Sequence, residues 1–156
     1  MNQLQTMIEH AEQHCQQQRV RLTAKRKCVL VGLLQSQKAM SAYELVDYCK
    51  TQLDQTIPAM SVYRILDFLQ DQGLVHRLDL ANKYVACSHA SCSHNHELLQ
   101  FLICDQCQSV EEINIDPSVL QNLQKTISQT GFHLSSPQLE INGICNKCFS
   151  SQTNIG

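Results

Sequence analysis

Hydrophobic residues recur at intervals of three and four in the first part of the chain, which is the period of an amphipathic α-helix. One such stripe predicts a first helix over residues 3–18, and it comprises Leu4, Met7, Ile8, Ala11 and Cys15. Thr23 is suited to cap a second helix, whose apolar face comprises Val29, Leu30, Leu33 and Leu34. Because Cys15 lies on an apolar stripe, we interpret it as a small core residue.

A third helix is marked by the residues at its start. Ser41 and Glu44 form a capping box, in which each side chain accepts a hydrogen bond from the other residue's backbone N–H. The box predicts a short helix over residues 42–52.

A fourth helix is bounded by a proline and a glycine. Pro58 suits the first helical position and Gly73 suits the residue that follows a helix end, so the helix is predicted over residues 58–72. Its apolar stripe comprises Val62, Ile65, Leu66 and Leu69. The residues left near the surface are Ser61, Arg64 and Asp67, with Tyr63 between them.

The segment after Gly73 alternates between apolar and polar residues, which predicts two short strands around a turn near Ala81 and Asn82. Helices followed by a β-hairpin are the pattern of a winged helix-turn-helix, with helix 58–72 in the recognition position. The alternative is a plain helical domain in which Arg64 is only solvated.

The second half of the chain predicts a small α/β unit. It contains, in order, strands over residues 99–104 and 108–115, a helix over 117–130 and a last strand over 132–145. Asp116 and Gly131 bound the helix, and Pro137 interrupts the last strand. So small a unit has a limited core, and an exposed strand edge would allow it to pair across a two-fold axis.

Composition and charge narrow the function classes. The chain has 156 residues, of which 43% are hydrophobic and 17% charged, as in a soluble globular protein. The first 85 residues carry ten Lys and Arg against eight Asp and Glu, and the remainder carries two against six. Only the first half is therefore a candidate for binding a polyanion, and its basic segment comprises Arg19, Arg21, Lys25, Arg26 and Lys27. The opening residues lack a secretory signal and no apolar run could span a membrane, which predicts a cytoplasmic protein.

Nine cysteines include two C-x-x-C pairs, Cys104 with Cys107 and Cys145 with Cys148, separated by thirty-seven residues. Two such pairs are the ligand set of a structural zinc site, because each tight turn points both sulfurs at one tetrahedral ion. The alternatives are two disulfides or redox-active dithiols. Without a signal for an oxidising compartment, the pattern favours zinc.

A second group of potential ligands mixes imidazoles, thiols and carboxylates. It comprises His76, Cys87, His89, Cys92, His94, His96, Glu97, Glu111 and Glu112. Such a set binds Zn(II) or Fe(II) less tightly than four thiolates do, as a sensor of metal requires. A catalytic zinc site of the deaminase type is disfavoured, because His96 directly adjoins Glu97 and no proline precedes Cys104.

Several segments resemble the ferric uptake regulator family, and the likeness covers nearly the whole chain in order. The segments are RLTAKR, SAYEL, SVYRILDFLQDQGLVHR and the paired C-x-x-C with a His-rich loop before the first pair. The resemblance implies a homodimeric, metal-dependent transcriptional repressor of the α+β class, with no enzyme activity. Its implied domains are a winged-helix DNA-binding domain at 1–86, a hinge at about 86–97 and a dimerisation and metal-binding domain at 98–156.

Within the family, the likeness is to the zinc uptake branch. Iron regulators tend to carry a histidine-rich run where this chain has Leu99, Gln100, Phe101 and Leu102. The implied sensory zinc ligands are His76, Cys87, His96 and Glu112, which with the four-thiol site makes about two Zn²⁺ per subunit. Further potential ligands are His89, Cys92, His94 and Glu111, so the loop ligand stays open between His94 and His96. Iron sensing and zinc buffering without DNA binding are the alternative functions.

The same resemblance implies a palindromic double-stranded DNA operator. Tyr43 and Arg64 are expected to contact bases, and an arginine suits guanine O6 and N7. The expected contacts to the sugar-phosphate backbone come from Tyr63, Lys25 and Arg26, and Ser61 lies on the same helix surface.

Overall fold

The computed structural model of the chain describes residues 2–87, 99–135 and 138–153. Its elements fall into two units, Met1–His94 and Asn95–Gly156. The first unit contains α1 (Gln3–Gln17), α2 (Ala24–Ser36), α3 (Ala42–Gln52), α4 (Ala59–Asp71), β1 (Val75–Leu78) and β2 (Lys83–Ala86). The second contains β3 (Leu99–Cys104), β4 (Val110–Asn114), α5 (Pro117–Gln129), β5 (Leu139–Gly143) and α6 (Asn146–Thr153). The predicted α+β class is confirmed. No helix in the described ranges is both long enough and apolar enough to cross a membrane.

The helices of the first unit pack around an aliphatic core. Its largest fully buried side chains include Leu33 of α2, Leu45 of α3 and Leu66 of α4. Gly32 of α2 faces α3, since a Cβ atom there would make an ordinary van der Waals contact, 3.4 Å, with the Tyr48 ring. The apolar stripes read from the sequence therefore meet in one core.

The predicted capping box is confirmed. Ser41 N–H donates to Glu44 Oε2 at 2.7 Å, and Glu44 N–H donates to Ser41 Oγ at 3.2 Å. The Ser41 N–H also lowers the pKa of Glu44, because it stabilises the carboxylate. Thr23 caps α2 as predicted, accepting from Arg26 N–H at 3.4 Å.

The fourth helix begins one residue later than predicted. Pro58 has an extended backbone (φ −60°, ψ 147°) and is the N-cap, so Ala59 is the first helical residue. At the other end Gly73 has a positive φ of 70°, which glycine adopts without steric strain, and the predicted stop is confirmed.

The predicted hairpin is confirmed, with β1 and β2 antiparallel and Leu78 opposite Lys83. Asn82 has the left-handed conformation (φ 50°) that the tight connection requires. The sequence did not predict that Met40 would extend this sheet. Met40 N–H donates to Tyr84 O at 3.0 Å and Tyr84 N–H donates to Met40 O at 2.8 Å, so the start of α3 is tied to the hairpin.

The sheet of the second unit has the order β4-β3-β5, with β3 antiparallel to β4 and parallel to β5. The predicted last strand was too long, since only Leu139–Gly143 forms β5 and residues 132–135 are not strand. Its predicted interruption at Pro137 lies outside the described residues. The pairing of β3 with β5 ends at Cys104, which lies opposite Gly143.

Three further features of the second unit concern its two helices and one buried side chain. Helix α6, which contains Cys148, was not predicted. Gln100 on β3 is a fully buried polar residue, and its side-chain oxygen accepts from Leu139 N–H at 2.6 Å, which fixes the start of β5. The predicted cap of α5 is confirmed, since Asp116 accepts from Ser118 N–H at 2.9 Å.

Candidate metal centres and nucleic-acid interface

Four cysteine thiols converge at one end of the sheet in the second unit. Cys104 ends β3, Cys107 lies in the turn that follows, Cys145 comes after β5, and Cys148 is in the first turn of α6. Since β3 and β5 are parallel neighbours, both C-x-x-C pairs leave the sheet at the same end. All four Sγ atoms lie within 4.8 Å of one another.

The spacing of these sulfurs fits one tetrahedral zinc ion. Four Zn–S bonds of about 2.3 Å would place neighbouring sulfurs about 3.8 Å apart. The Sγ atoms of Cys107 and Cys145, one from each pair, are 3.7 Å apart. A disulfide would need about 2.05 Å, and each cysteine in the described ranges is a free thiol. The donor set therefore has the geometry of a metal centre.

Hydrogen-bond donors prepare part of this cluster for negative charge. The backbone N–H groups of Cys107 and Cys145 lower the pKa of Cys104 to about 6, and the Cys145 N–H lies 3.4 Å from its sulfur. Ser109, whose Oγ is 3.1 Å from Cys107 Sγ, lowers the pKa of Cys107. The pKa of Cys148 is instead raised to about 12 by its hydrogen bond with Cys145, by desolvation and by the other two thiols. Several thiolates in one place repel each other, and a bound divalent cation would offset that repulsion.

Backbone hydrogen bonds hold the first C-x-x-C turn. Gln108 has a positive φ of 62°, and its N–H donates to Cys104 O at 3.0 Å. Cys104 N–H donates to Ser109 O at 2.9 Å. Asp105 N–H donates to Gly143 O at 2.9 Å, which ties this turn to the end of β5. The sulfur positions are thus set by the ends of paired strands.

A second pair of potential ligands lies in the first unit. His76 is on β1 and Cys87 follows β2, and a ring nitrogen of His76 lies within 4.8 Å of Cys87 Sγ. Cys87 is fully buried, and its N–H donates to Leu74 O at 2.9 Å. Two soft or borderline donors at this distance can share one ion, and two more would complete a tetrahedral set.

The other predicted sensory residues are distributed between the second unit and an undescribed segment. Glu112 is half-buried on β4, opposite Phe101, and its neighbour Glu111 is exposed. His96, together with His89, Cys92 and His94, lies outside the described residues. The choice between His94 and His96 as loop ligand stays a prediction.

The predicted DNA-contacting residues lie in the first unit on α3 and α4. Arg64 is exposed, and Tyr43 is 66% exposed. The Tyr43 and Tyr63 rings meet edge to face with centroids 6.3 Å apart, which links the start of α3 to α4. Helix α4 begins without a side-chain cap and without an acidic residue in its first turn, so its N-terminal N–H groups could donate hydrogen bonds to a phosphate. Ser61 is half-buried in that turn.

The two predicted backbone contacts on α2 differ in their surroundings. Lys25 is exposed. The Arg26 guanidinium stacks 3.7 Å from the centre of the Phe68 ring and donates to Arg21 O at 2.7 Å. Arg26 therefore also holds α2 against α4, a role that the sequence did not suggest.

Sequence reasoning did not single out Met60, an exposed apolar residue of α4. Met60 is 67% exposed, although methionine is usually buried. Its position four residues before Arg64 places the two on one helix face, and that spacing could have identified it.

Comparison with known proteins agrees with this geometry. The sequence model of the ferric uptake regulator family matches residues 17–142. The zinc uptake regulation protein of Escherichia coli strain K12 is 36% identical over 144 residues, 92% of this chain and 82% of the relative. The ferric uptake regulation protein of Synechococcus elongatus is 32% identical over 132 residues, 82% of this chain and 85% of the relative.

Among solved structures, a zinc uptake regulator complexed with zinc and DNA matches with a TM-score of 0.81 and 31% identity. The match covers 98% of this chain and 99% of that one. With the family model matching most of its length, the chain belongs to the ferric uptake regulator family.

Proposed function

We propose that the chain is a zinc-responsive, DNA-binding transcriptional repressor of zinc uptake genes. The observation that carries the proposal is the nearly full-length match to a zinc uptake regulator solved with zinc and DNA. The converging thiols and the exposed α4 face supply the two kinds of site that such a protein needs. Because the family is one of transcriptional regulators, we assign no catalytic residue, and a protein that must reach DNA is expected in the cytoplasm.

The four thiols of Cys104, Cys107, Cys145 and Cys148 are proposed to hold a structural zinc. They join the end of β3 to the end of β5 and the start of α6, so a shared ion would close the second unit. This unit has few large buried side chains, and metal ligation would supply stability that its core lacks.

A second zinc ion, which would bring the total to about two per subunit, is proposed to be the sensed one. Its proposed ligands are His76, Cys87, His96 and Glu112, with His89, Cys92, His94 and Glu111 as further potential ligands. The thiolate of Cys87 favours Zn(II) over ferrous iron, because sulfur is a soft donor. Ligands that come from both units would restrict how the units are arranged, and only some arrangements suit DNA. By linkage, operator DNA would tighten zinc binding by the same factor.

The chain is proposed to act as a homodimer on a palindromic operator. Large apolar side chains remain exposed in the second unit, and they are Val119, Leu123, Phe132, Leu134, Ile141, Ile144 and Phe149. So many exposed apolar residues on a small unit support a partner subunit. A two-fold dimer would present two copies of α4 to two half-sites.

The decisive experiment is selection of DNA from a random duplex pool by the purified full chain, with and without zinc. We expect the chain to retain a palindromic sequence when zinc is present. It should release that sequence when a chelator removes the sensed zinc ion, which is the more weakly bound of the two. Protein purified without added metal is expected to contain about two zinc ions per subunit and no iron. Sequence-specific binding that does not change with zinc would contradict the proposal.

Replacing Arg64 and replacing Lys25 are expected to weaken DNA binding in different ways. Arg64→Ala should weaken operator binding by about 1–3 kcal/mol and relax base preference, because an exposed arginine on α4 can bind guanine with two hydrogen bonds. Lys25→Ala should weaken binding to all DNA sequences by the same factor and reduce the salt dependence of that binding, because lysine would contact phosphate.

Binding of both variants to operator and scrambled duplexes at several salt concentrations separates the two roles. Asp71→Ala, at the far end of α4, is the control for a surface substitution on that helix. Equal losses for Arg64→Ala on the two duplexes would assign Arg64 to phosphate instead of a base.

A further inference from the structure

The outer face of α4 carries an apolar row beside Arg64. The helix buries Val62, Ile65, Leu66 and Leu69, whereas Met60 is 67% exposed in the first turn. Residues three and four apart are neighbours on a helix surface, so Met60 lies next to both Tyr63 and Arg64. Tyr63 in turn meets the exposed ring of Tyr43. Met60, Tyr63 and Tyr43 thus form a continuous row, which we call the α4 apolar row.

A single exposed hydrophobic residue would need no explanation. Met60 differs because it extends this row and because it shares a face with a guanidinium. The first turn of α4 contains no acidic side chain, so nothing in that turn repels a polyanion. An apolar side chain in such surroundings suits a partner that presents both phosphate and an apolar group.

The major groove of B-DNA presents one such group, the C5-methyl of thymine. Residues in the N-terminal part of a recognition helix are those that reach base edges, and Met60 is the second residue of α4. We propose that Met60 is a specificity-determining residue that contacts a thymine methyl in each operator half-site. The inference rests on the proposed function, since it requires α4 to enter the major groove.

The geometry also limits where the thymine lies. Four residues of α-helix span about 6 Å along the axis, and base pairs are stacked about 3.4 Å apart. The thymine that contacts Met60 is therefore expected within about two base pairs of the guanine that contacts Arg64. An unbranched thioether side chain can adjust to the methyl group without a change in the backbone.

Replacing thymine by uracil tests the contact, because it removes only the methyl group. The operator would be the sequence selected by the zinc-loaded full chain, with uracil placed at each thymine in turn. For the wild-type chain we expect one position per half-site at which uracil weakens binding about fourfold, which is ~0.8 kcal/mol for one buried methyl group. With both half-sites changed, the loss should be about fifteenfold.

The variants assign that loss to Met60. Met60→Ala should bind the thymine and uracil operators equally at this position, while Met60→Leu should keep most of the difference because leucine retains an apolar contact. Gln70→Ala, an exposed substitution near the other end of α4, should behave as the wild type. Since Met60 is exposed, the variants should keep the wild-type circular dichroism spectrum.

A methyl effect that persists undiminished in Met60→Ala would overturn the inference, as would an operator in which no thymine methyl affects wild-type binding. Failure of the proposed function looks different. Selection of a sequence that does not depend on zinc would reject only the zinc response, whereas a zinc-loaded wild-type chain that selects no sequence would not be a sequence-specific DNA-binding protein. That result would reject both proposals at the first step. A selected operator with no coupling between Met60 and thymine rejects only this one.

Discussion

Cys104→Ser is expected to unfold the second unit and to abolish the proposed dimer. The Cys104 sulfur lies within 4.8 Å of three other thiols and receives a backbone N–H. Apparent binding free energies of structural zinc in small domains are about 10–16 kcal/mol, and this energy is folding energy because the unfolded chain has no such site. Serine is a poor zinc ligand at neutral pH, so most of that stabilisation should be lost.

Sedimentation, zinc content and circular dichroism of the purified variant measure the effect. We expect a monomer that has lost its tightly bound zinc but keeps the helix signal of α1 to α4, since those helices have their own core. Cys28→Ser is the matched control, because Cys28 is a half-buried thiol of the first unit outside the cluster. Cys148→Ser should reproduce the Cys104→Ser result. An intact, zinc-containing Cys104→Ser dimer would show that the cluster is not structural.

Cys87→Ser is expected to leave the fold and the proposed dimer intact and to weaken the zinc response more than tenfold. Cys87 is fully buried after β2, and its backbone is held by the hydrogen bond from its N–H to Leu74 O at 2.9 Å, which serine can also make. Its thiolate is the softest donor in the proposed sensory set. A tenfold loss corresponds to about 1.4 kcal/mol.

Operator binding measured against buffered free zinc gives the midpoint of the response. His96→Ala should abolish zinc-dependent binding if His96 is the loop ligand, whereas His89→Ala, Cys92→Ser and His94→Ala should each shift the midpoint less than about threefold. These three are the matched controls, since they remove potential ligands from the same segment. An unchanged midpoint in Cys87→Ser would remove Cys87 from the sensory site. Equal damage from His94→Ala and His96→Ala would mean that both imidazoles bind zinc.

Most helices could be predicted because their signals are local. The capping box of Ser41 and Glu44, the N-cap Asp116 and the stop at Gly73 each act within about one helical turn, and their hydrogen bonds do not depend on the rest of the fold. The one-residue difference at Pro58 is of the same local kind. Helix α6 was missed because its eight residues lack an apolar stripe, and none of its side chains is buried.

The candidate metal centre was predictable in part for the same reason. The C-x-x-C spacing that brings two sulfurs together is local, whereas the meeting of the two pairs depends on the parallel pairing of β3 with β5. Nothing in the spacing of Cys104 and Cys145 states that their strands are neighbours. Likewise, the sequence could not predict the pairing of Met40 with Tyr84 or the stacking of Arg26 on Phe68, because the two residues of each pair lie far apart along the chain.

The sequence by itself determined the helices of the first unit, the hairpin, the two thiol pairs and the resemblance that names the family. Only the tertiary structure decided that the four sulfurs converge to within 4.8 Å of one another and that Gln100 holds β5 beside β3. It also decided that Met60 remains exposed beside Tyr63 and Arg64. The physical reason is range: caps, turns and periodicity act over a few residues, while strand order, burial and ligand convergence depend on contacts between residues about forty positions apart.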